Sequence, residues 1–121
     1  IDHFKKINDV HGHGVGDDVL RAFASAAKAS LRDTDVIARW GGEEFLVMLP
    51  DTDHDVARLA IERMHMAIGA SRSMGMPQLA VTFSAGLVSC EPQEPCSLAI
   101  ERADRALYQA KSEGRNRTVM A

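Results

Sequence analysis

Two runs of β-prone residues, Val36 to Trp40 and Phe45 to Leu49, are separated by Gly41-Gly42-Glu43-Glu44. No other stretch restricts the fold so tightly. Paired glycines take positive φ without steric cost, so the chain reverses there and the two runs pair as a β-hairpin. Around the hairpin, apolar residues recur three times at helical spacing. Leu20, Phe23, Ala24, Ala27 and Leu31 form one stripe, behind a glycine-rich lead-in with Asp17 and Asp18 read as its first turn. Val56, Leu59, Ala60, Met64, Ala67 and Ile68 form a second, after a start at Asp53–Asp55. Ala99, Ala103, Ala106, Leu107 and Ala110 form the third, which stops near Gly114. Leu79, Val81, Phe83, Ala85 and Leu87 alternate with small or polar residues and read as a strand with one apolar face. A short strand over Thr118–Met120 is expected, while Ser71–Gln78 and Glu91–Pro95 read as loops.

Helices and strands interspersed in this way belong to the α+β class. One strand placed ahead of Ile1 turns the series into β-α-β-β-α-β. That is the ferredoxin-like, split βαβ arrangement: an antiparallel-rich sheet with helices packed on it. The expectation is a single domain over residues 1–121, N-terminally truncated, with its first strand missing. A chain of 121 residues, 45% hydrophobic, supports one core and not two. With a net charge of -3 and dispersed Lys and Arg, no basic stripe points to DNA or RNA. Cys90 and Cys96 have no ligand-like histidine beside them and read as reduced thiols of a cytoplasmic protein. The longest apolar run, Phe45–Leu49, is far too short to cross a bilayer, so no direct membrane contact is expected from this segment. The chain begins at Ile1 without a methionine, and a membrane anchor in a preceding region is left open.

Four polar clusters carry the chemistry. Glu43 and Glu44 are adjacent carboxylates at the hairpin tip. They form either a solvated polar turn or a site for a hard cation such as Mg2+, shared with phosphates, because Gly41 and Gly42 leave the backbone open to close approach. Asn8 and Asp17 flank Gly12-His13-Gly14-Val15-Gly16. This run lacks the Lys-Ser/Thr pair of a phosphate loop, and Asp17 with Asp18 would oppose a phosphate there. Asp17 either caps a helix or accepts from N–H groups; guanine presents two such donors on one edge and adenine does not. Lys111 and Arg115, a turn apart at the end of the last helix, either complement its dipole or hold phosphate oxygens together. Arg32-Asp33-Thr34-Asp35, taken singly, is a helix-to-strand turn. His11 and His13 lack a third ligand for zinc, and His54 and His65 read as ordinary helix residues.

In chain order, Ile1-Asp2-His3-Phe4-Lys5, Asn8-Asp9, Gly12-His13-Gly14-Val15-Gly16-Asp17, Arg39-Trp40-Gly41-Gly42-Glu43-Glu44-Phe45 and Tyr108-Gln109-Ala110-Lys111-Ser112-Glu113-Gly114-Arg115-Asn116 resemble successive signatures of the GGDEF family of diguanylate cyclases. They occur at the family's spacing over essentially the whole chain. The resemblance implies a bacterial signalling enzyme that condenses two GTP into cyclic di-GMP and pyrophosphate with Mg2+ or Mn2+. It implies that Glu43 and the backbone carbonyl of Ile1 bind the metal, and that Glu43, Glu44 and Lys5 serve catalysis. By the same resemblance Asn8 and Asp17 bind guanine, Gly41 and Gly42 border the substrate, and Lys111 and Arg115 hold phosphates. Arg32 and Asp35 fall at the family's product-inhibition site, joined by Arg63. A further metal-binding aspartate is expected two positions before Asp2, so activity of these residues alone is left open. Each domain would hold one GTP, which makes a homodimer the catalytic unit. The alternative is an inactive member that binds GTP or cyclic di-GMP as a sensor; the intact Gly41–Phe45 signature favours the enzyme.

Overall fold

The computed structural model describes residues 1–72 and 78–121, so part of the expected Ser71–Gln78 loop lies outside the described residues. The elements run α1 (Phe4–His11), α2 (His13–Ala29), β1 (Val36–Gly41), β2 (Glu44–Met48), α3 (His54–Ala70), β3 (Ala85–Leu87), α4 (Cys96–Ser112) and β4 (Thr118–Met120). The α+β class stands. No helix among the described residues is long and apolar enough to cross a membrane.

The hairpin forms where the glycines place it. β1 and β2 pair antiparallel from Val36↔Met48 to Gly41↔Glu44, with an irregularity between Arg39 and Gly41. Gly42 alone takes the positive φ, at 44°, and Arg39 Nε donates to its carbonyl at 2.8 Å. β3 and β4 pair parallel, Ala85↔Thr118 to Leu87↔Met120, and α4 supplies the long crossover that parallel strands require. The expected strand Leu79–Leu87 thus shrinks to Ala85–Leu87. Its alternation correctly gives the core face, for Phe83 is buried and Val81, Ala85 and Leu87 pack beside it. A ladder needs a partner as well as a pattern. Of the preceding residues, Thr82 offers its carbonyl to the Asp2 N–H at 2.9 Å instead.

α1 adds a helix ahead of the three expected from the apolar stripes, and it buries only Ile7. Gly12, at φ 89°, breaks it from α2, which then begins at His13. Asp17 and Asp18 therefore sit a turn inside α2 and not in its first turn; the cap is Gly12, without a side-chain bond. Asp18 pairs with Arg21 at 3.2 Å. α3 starts as expected, with the Asp53 carboxylate accepting the Val56 N–H at 2.9 Å. Its buried row is Ala57, Ala60, Ile61, Met64 and Ile68. Ala60, Met64 and Ile68 of the expected stripe are in it, whereas Val56 and Leu59 are 46% and 47% exposed. Both rows have three- and four-residue steps, and only packing against α2 selects between them.

The core joins α2 (Phe23, Ala27), α3 (Ile61, Met64, Ile68) and Phe83, with Ile37, Phe45 and Val47 of the hairpin packed against it. The Phe23 ring lies 4.9 Å from Phe45 and meets Phe83 edge-on at 5.6 Å. Such pairs contribute about 0.5–1.5 kcal/mol beyond area burial, enough to fix the hairpin's inner face while its tip stays open. α4 lies against β3 through small residues. A Cβ on Gly86 would run into the Ala103 carbonyl, the Leu107 N–H and the Ala106 methyl.

Candidate functional site

Three chain segments meet in a cleft of about 150 Å3: the start of α1, the hairpin tip and the end of α4. Its lining includes Ile1, Lys5, Glu43, Lys111 and Arg115. Five positions singled out in the sequence, spread over more than a hundred residues, thus share one surface. The Ile1 backbone nitrogen donates to the Glu43 carbonyl at 3.2 Å, which ties the first residue to the hairpin turn. Glu44, Gly41 and Gly42 border the same turn, and a Cβ on either glycine would meet nothing within 4 Å. Both glycines face open space. Among the described residues, none of Lys5, Glu43, Glu44, Lys111 or Arg115 takes part in a salt bridge, whereas six other pairs do.

Asn8 and Asp17 lie outside this lining, at the α1–α2 junction. Gly16 sits close beneath Asn8 there, and a Cβ would displace the Asn8 amide. The Asn8 Oδ1 is buried without a hydrogen-bond partner among the described residues. Leaving such an atom unpaired costs about 1–3 kcal/mol. Asp17 is exposed on the first turns of α2. With the cap reading removed by the helix start at His13, its carboxylate is available to a ligand.

The α4 end is unusually constrained. Gly114, Arg115 and Asn116 have φ of 117°, 67° and 48°, three left-handed residues in a row. Glycine accepts this freely, but each L-residue gives up about 1–2 kcal/mol. The Arg115 N–H returns to the Ala110 carbonyl at 2.9 Å and the Asn116 N–H reaches the Asp2 carboxylate at 3.0 Å. Asp2 is buried, 6% exposed, and also accepts the Thr82 hydroxyl at 2.7 Å and the Ser84 hydroxyl at 2.6 Å. Burial alone would raise its pKa; the bonds from Ser84, Thr82 and Asn116 outweigh it and hold the carboxyl below its ordinary value. Sequence reading quoted Asp2 within a signature and gave it no role. Its partners are 80, 82 and 114 residues away, beyond any local pattern.

Arg32 and Asp35 form a separate cluster. The Asp35 carboxylate accepts the Arg32 N–H at 2.8 Å and the guanidinium at 3.2 Å, and the same Arg32 nitrogen donates to the Pro50 carbonyl at 3.1 Å. Burial pushes the Asp35 pKa up, but the Arg32 bonds and charge, with the charge of Arg63, bring it below its ordinary value. The turn is structural, and it leaves Arg32 half exposed with Arg63 electrostatically in reach.

The donor set at the cleft suits Mg2+ in one respect only. No group of three or more His, Cys, Asp or Glu residues among the described residues forms a metal cage. Mg2+ seldom uses one; it takes one or two carboxylates and completes its octahedron with water and substrate phosphates. An unpaired Glu43 carboxylate beside Ile1, with three cations opposite, fits that mode of binding.

Comparison with known proteins agrees with this arrangement. Residues 1–117 match the family model described as "Diguanylate cyclase, GGDEF domain". The chain is 47% identical over 123 residues to diguanylate cyclase DgcP of Pseudomonas aeruginosa, covering 100% of the chain and 18% of that protein. It is 45% identical over 125 residues to the response regulator PleD of Caulobacter vibrioides, covering 98% of the chain and 27% of that protein. It thus spans well under half the length of these relatives. Among solved structures, diguanylate cyclase SiaD of P. aeruginosa, in complex with its activator SiaC, superposes with a TM-score of 0.94 at 40% identity, over 99% of this chain and 46% of that one. The GGDEF domain of DgcB from Caulobacter crescentus, in complex with c-di-GMP, gives 0.91 at 35% identity, over 99% and 72%. A hairpin of two glycines and two glutamates, set beside unpaired cations in a fold shared with these proteins, places the chain in the GGDEF family of diguanylate cyclase domains.

Proposed function

We propose that this domain is catalytically active, and that it condenses two GTP into cyclic di-GMP with release of two pyrophosphates. The observation that carries the reading is the convergence of Glu43, Lys5, Lys111 and Arg115 in one cleft without ion pairing among themselves. Lys111 and Arg115 hold the terminal phosphates, Lys5 offsets charge on the reacting phosphate, and Asn8 with Asp17 reads the guanine edge. Glu43 and the Ile1 carbonyl would hold Mg2+ or Mn2+, and Glu44 would support that site from the next position. When bound, the metal neutralises phosphate charge and makes the attacking 3′-hydroxyl more acidic. The remaining work is positioning and electrostatic stabilisation at fixed points.

Each 3′-oxygen attacks the α-phosphorus of the other GTP, so two domains face each other across their hairpin tips. Arg32, Asp35 and Arg63 bind the product away from the cleft and restrain turnover; the DgcB domain's complex with c-di-GMP supports a product site within this family. We place the domain in the cytoplasm, where GTP is found.

Chromatography of GTP incubated with Mg2+ and the chain, alone and extended upstream through the expected first strand, tests this. The reading predicts cyclic di-GMP, with specific activity rising with protein concentration at the dilute end. GTP binding without product at any concentration would favour the sensor reading.

A further inference from the structure

We propose that Asp2 is a positioning residue that clamps the end of α4 against the start of α1, and so fixes where Arg115 meets a nucleoside triphosphate. The proposal rests on the reading of Lys111 and Arg115 as the phosphate pair.

Lys111 needs no such help, being within α4, whose seat is set by the contact at Gly86. Arg115 is different. It lies three residues beyond the helix, in a left-handed stretch with Gly114 and Asn116. Two non-glycine residues stay in that conformation only where the surroundings over-determine it. Within the turn, the Arg115 N–H bonds back to α4, and Arg117 Nε bonds to the Arg115 carbonyl. Among the described residues, the Asn116 N–H to Asp2 Oδ2 bond alone ties Gly114–Asn116 to a distant segment.

Asp2 is itself anchored. Thr82 donates to the same oxygen and Ser84 to the other, and these hydroxyls flank Phe83, which is buried in the core. Side chains at alternate positions of extended chain point to opposite sides. Phe83 thus grips the core while Thr82 and Ser84 grip Asp2. The Asp2 N–H adds a bond to the Thr82 carbonyl. Position passes from the core through two hydroxyls and one carboxylate to the backbone under Arg115. Bonds of this length are full hydrogen bonds, and the carboxylate meets three donors at once.

The test uses the whole chain with Asp2→Ala, Asp2→Asn, Thr82→Val, Arg115→Ala and the Asp2→Ala/Arg115→Ala pair. GTP affinity in Mg2+ is read by calorimetry, and amide hydrogen exchange by NMR. Asp2→Ala and Arg115→Ala should each weaken GTP binding roughly tenfold or more, and the pair should be little worse than Arg115→Ala alone. Asp2→Asn should recover most of the loss. Its amide oxygen can accept Thr82 and Asn116 while its NH2 donates to the Ser84 hydroxyl, whereas a residue acting through its charge would not be rescued. Exchange at Asn116 should accelerate in Asp2→Ala, and to a lesser degree in Thr82→Val, with Ala106 and Ala110 still protected. Additive losses in the pair, or Asp2→Asn as weak as Asp2→Ala, would overturn the proposal. Should Asp2→Ala not fold, Thr82→Val carries the same comparison: faster Asn116 exchange supports the clamp, and unchanged exchange overturns it. A parent chain that binds no GTP would sink the phosphate reading, while Asn116 exchange would still decide whether the clamp exists.

Discussion

The hairpin tip and the end of α4 border the same cleft and are built in different ways. At the tip, Glu43 and Glu44 carry carboxylates without ion-pair partners among the described residues, on a turn flanked by open space. At the α4 end, the backbone is held by Ala110 and Asp2 in a conformation that most residues avoid. Both sides carry charge without ion-pair partners among the described residues, and the α4 side adds a backbone held by a distant carboxylate. A group meant for a metal or phosphate is left unpaired, because an internal partner would compete with the ligand. The scaffold that aims it is satisfied as fully as a core, because misplacement by an ångström is costly to chemistry.

The comparison breaks first on its fixed side. Gly86→Ala pushes a methyl into the backbone of α4, and overpacking of this kind costs about 1–3 kcal/mol. Thermal unfolding should show a clear loss of stability, and GTP affinity should fall with it because Lys111 shifts with α4. Undiminished affinity in that variant would mean that the seat of α4 does not aim Lys111 at the phosphates.

Gly16→Ala separates binding from stability. The new methyl displaces the Asn8 amide, the flexible end of a side chain, while alanine in a helix interior gains about 1 kcal/mol over glycine. Preference for GTP over ATP should drop by roughly tenfold with the melting temperature unchanged or higher. Retained preference would remove Asn8 from base recognition.

Arg32→Ala reaches the region outside the cleft. Product affinity, measured by calorimetry, should weaken several-fold with the initial rate nearly unchanged, since Arg32 is not among the described residues that line the cleft. Unaltered product affinity would leave Arg32–Asp35 as a turn and nothing more.

The smallest effect is one of pH. Burial holds the pKa of His65 below 6.5; its ring stacks on Phe83 at 3.8 Å and its Nε2 meets the Thr118 hydroxyl at 2.9 Å. With the folded pKa depressed, the unfolded chain binds the proton more readily. The contribution is therefore complete above pH 6.5 and is lost as pH falls toward the folded value. Melting temperatures should decline from pH 7 downward through the region just below 6.5, and His65→Gln should flatten the decline. An equal slope in the variant would assign the effect to other groups.

Sequence pattern reveals local causes and misses distant ones. The hairpin was legible because two glycines and two β-prone runs settle it within fourteen positions, and α3 because Asp53 caps its own helix. α1 and the true start of α2 were obscured by glycines that read as a lead-in; Gly12 breaks the chain, and Gly16 is a helical residue close beneath Asn8. The apolar row of α3 was legible at Ala60, Met64 and Ile68 and misjudged at Val56 and Leu59, where the spacing is helical either way and the neighbour chooses. The cleft's charged residues stood out by type. Asp2 did not, for a buried aspartate has no local mark and its three partners lie far along the chain.

Glu43→Ala tests the central claim most directly. The Glu43 carboxylate has no ion-pair partner among the described residues, so its removal should leave the melting temperature within a degree or two of the parent, as for surface substitutions generally. In a chain that makes cyclic di-GMP from GTP and Mg2+, the folded variant should make none by chromatography. Normal turnover by the folded variant would contradict the assignment of the hairpin tip as the metal-binding edge of the cleft.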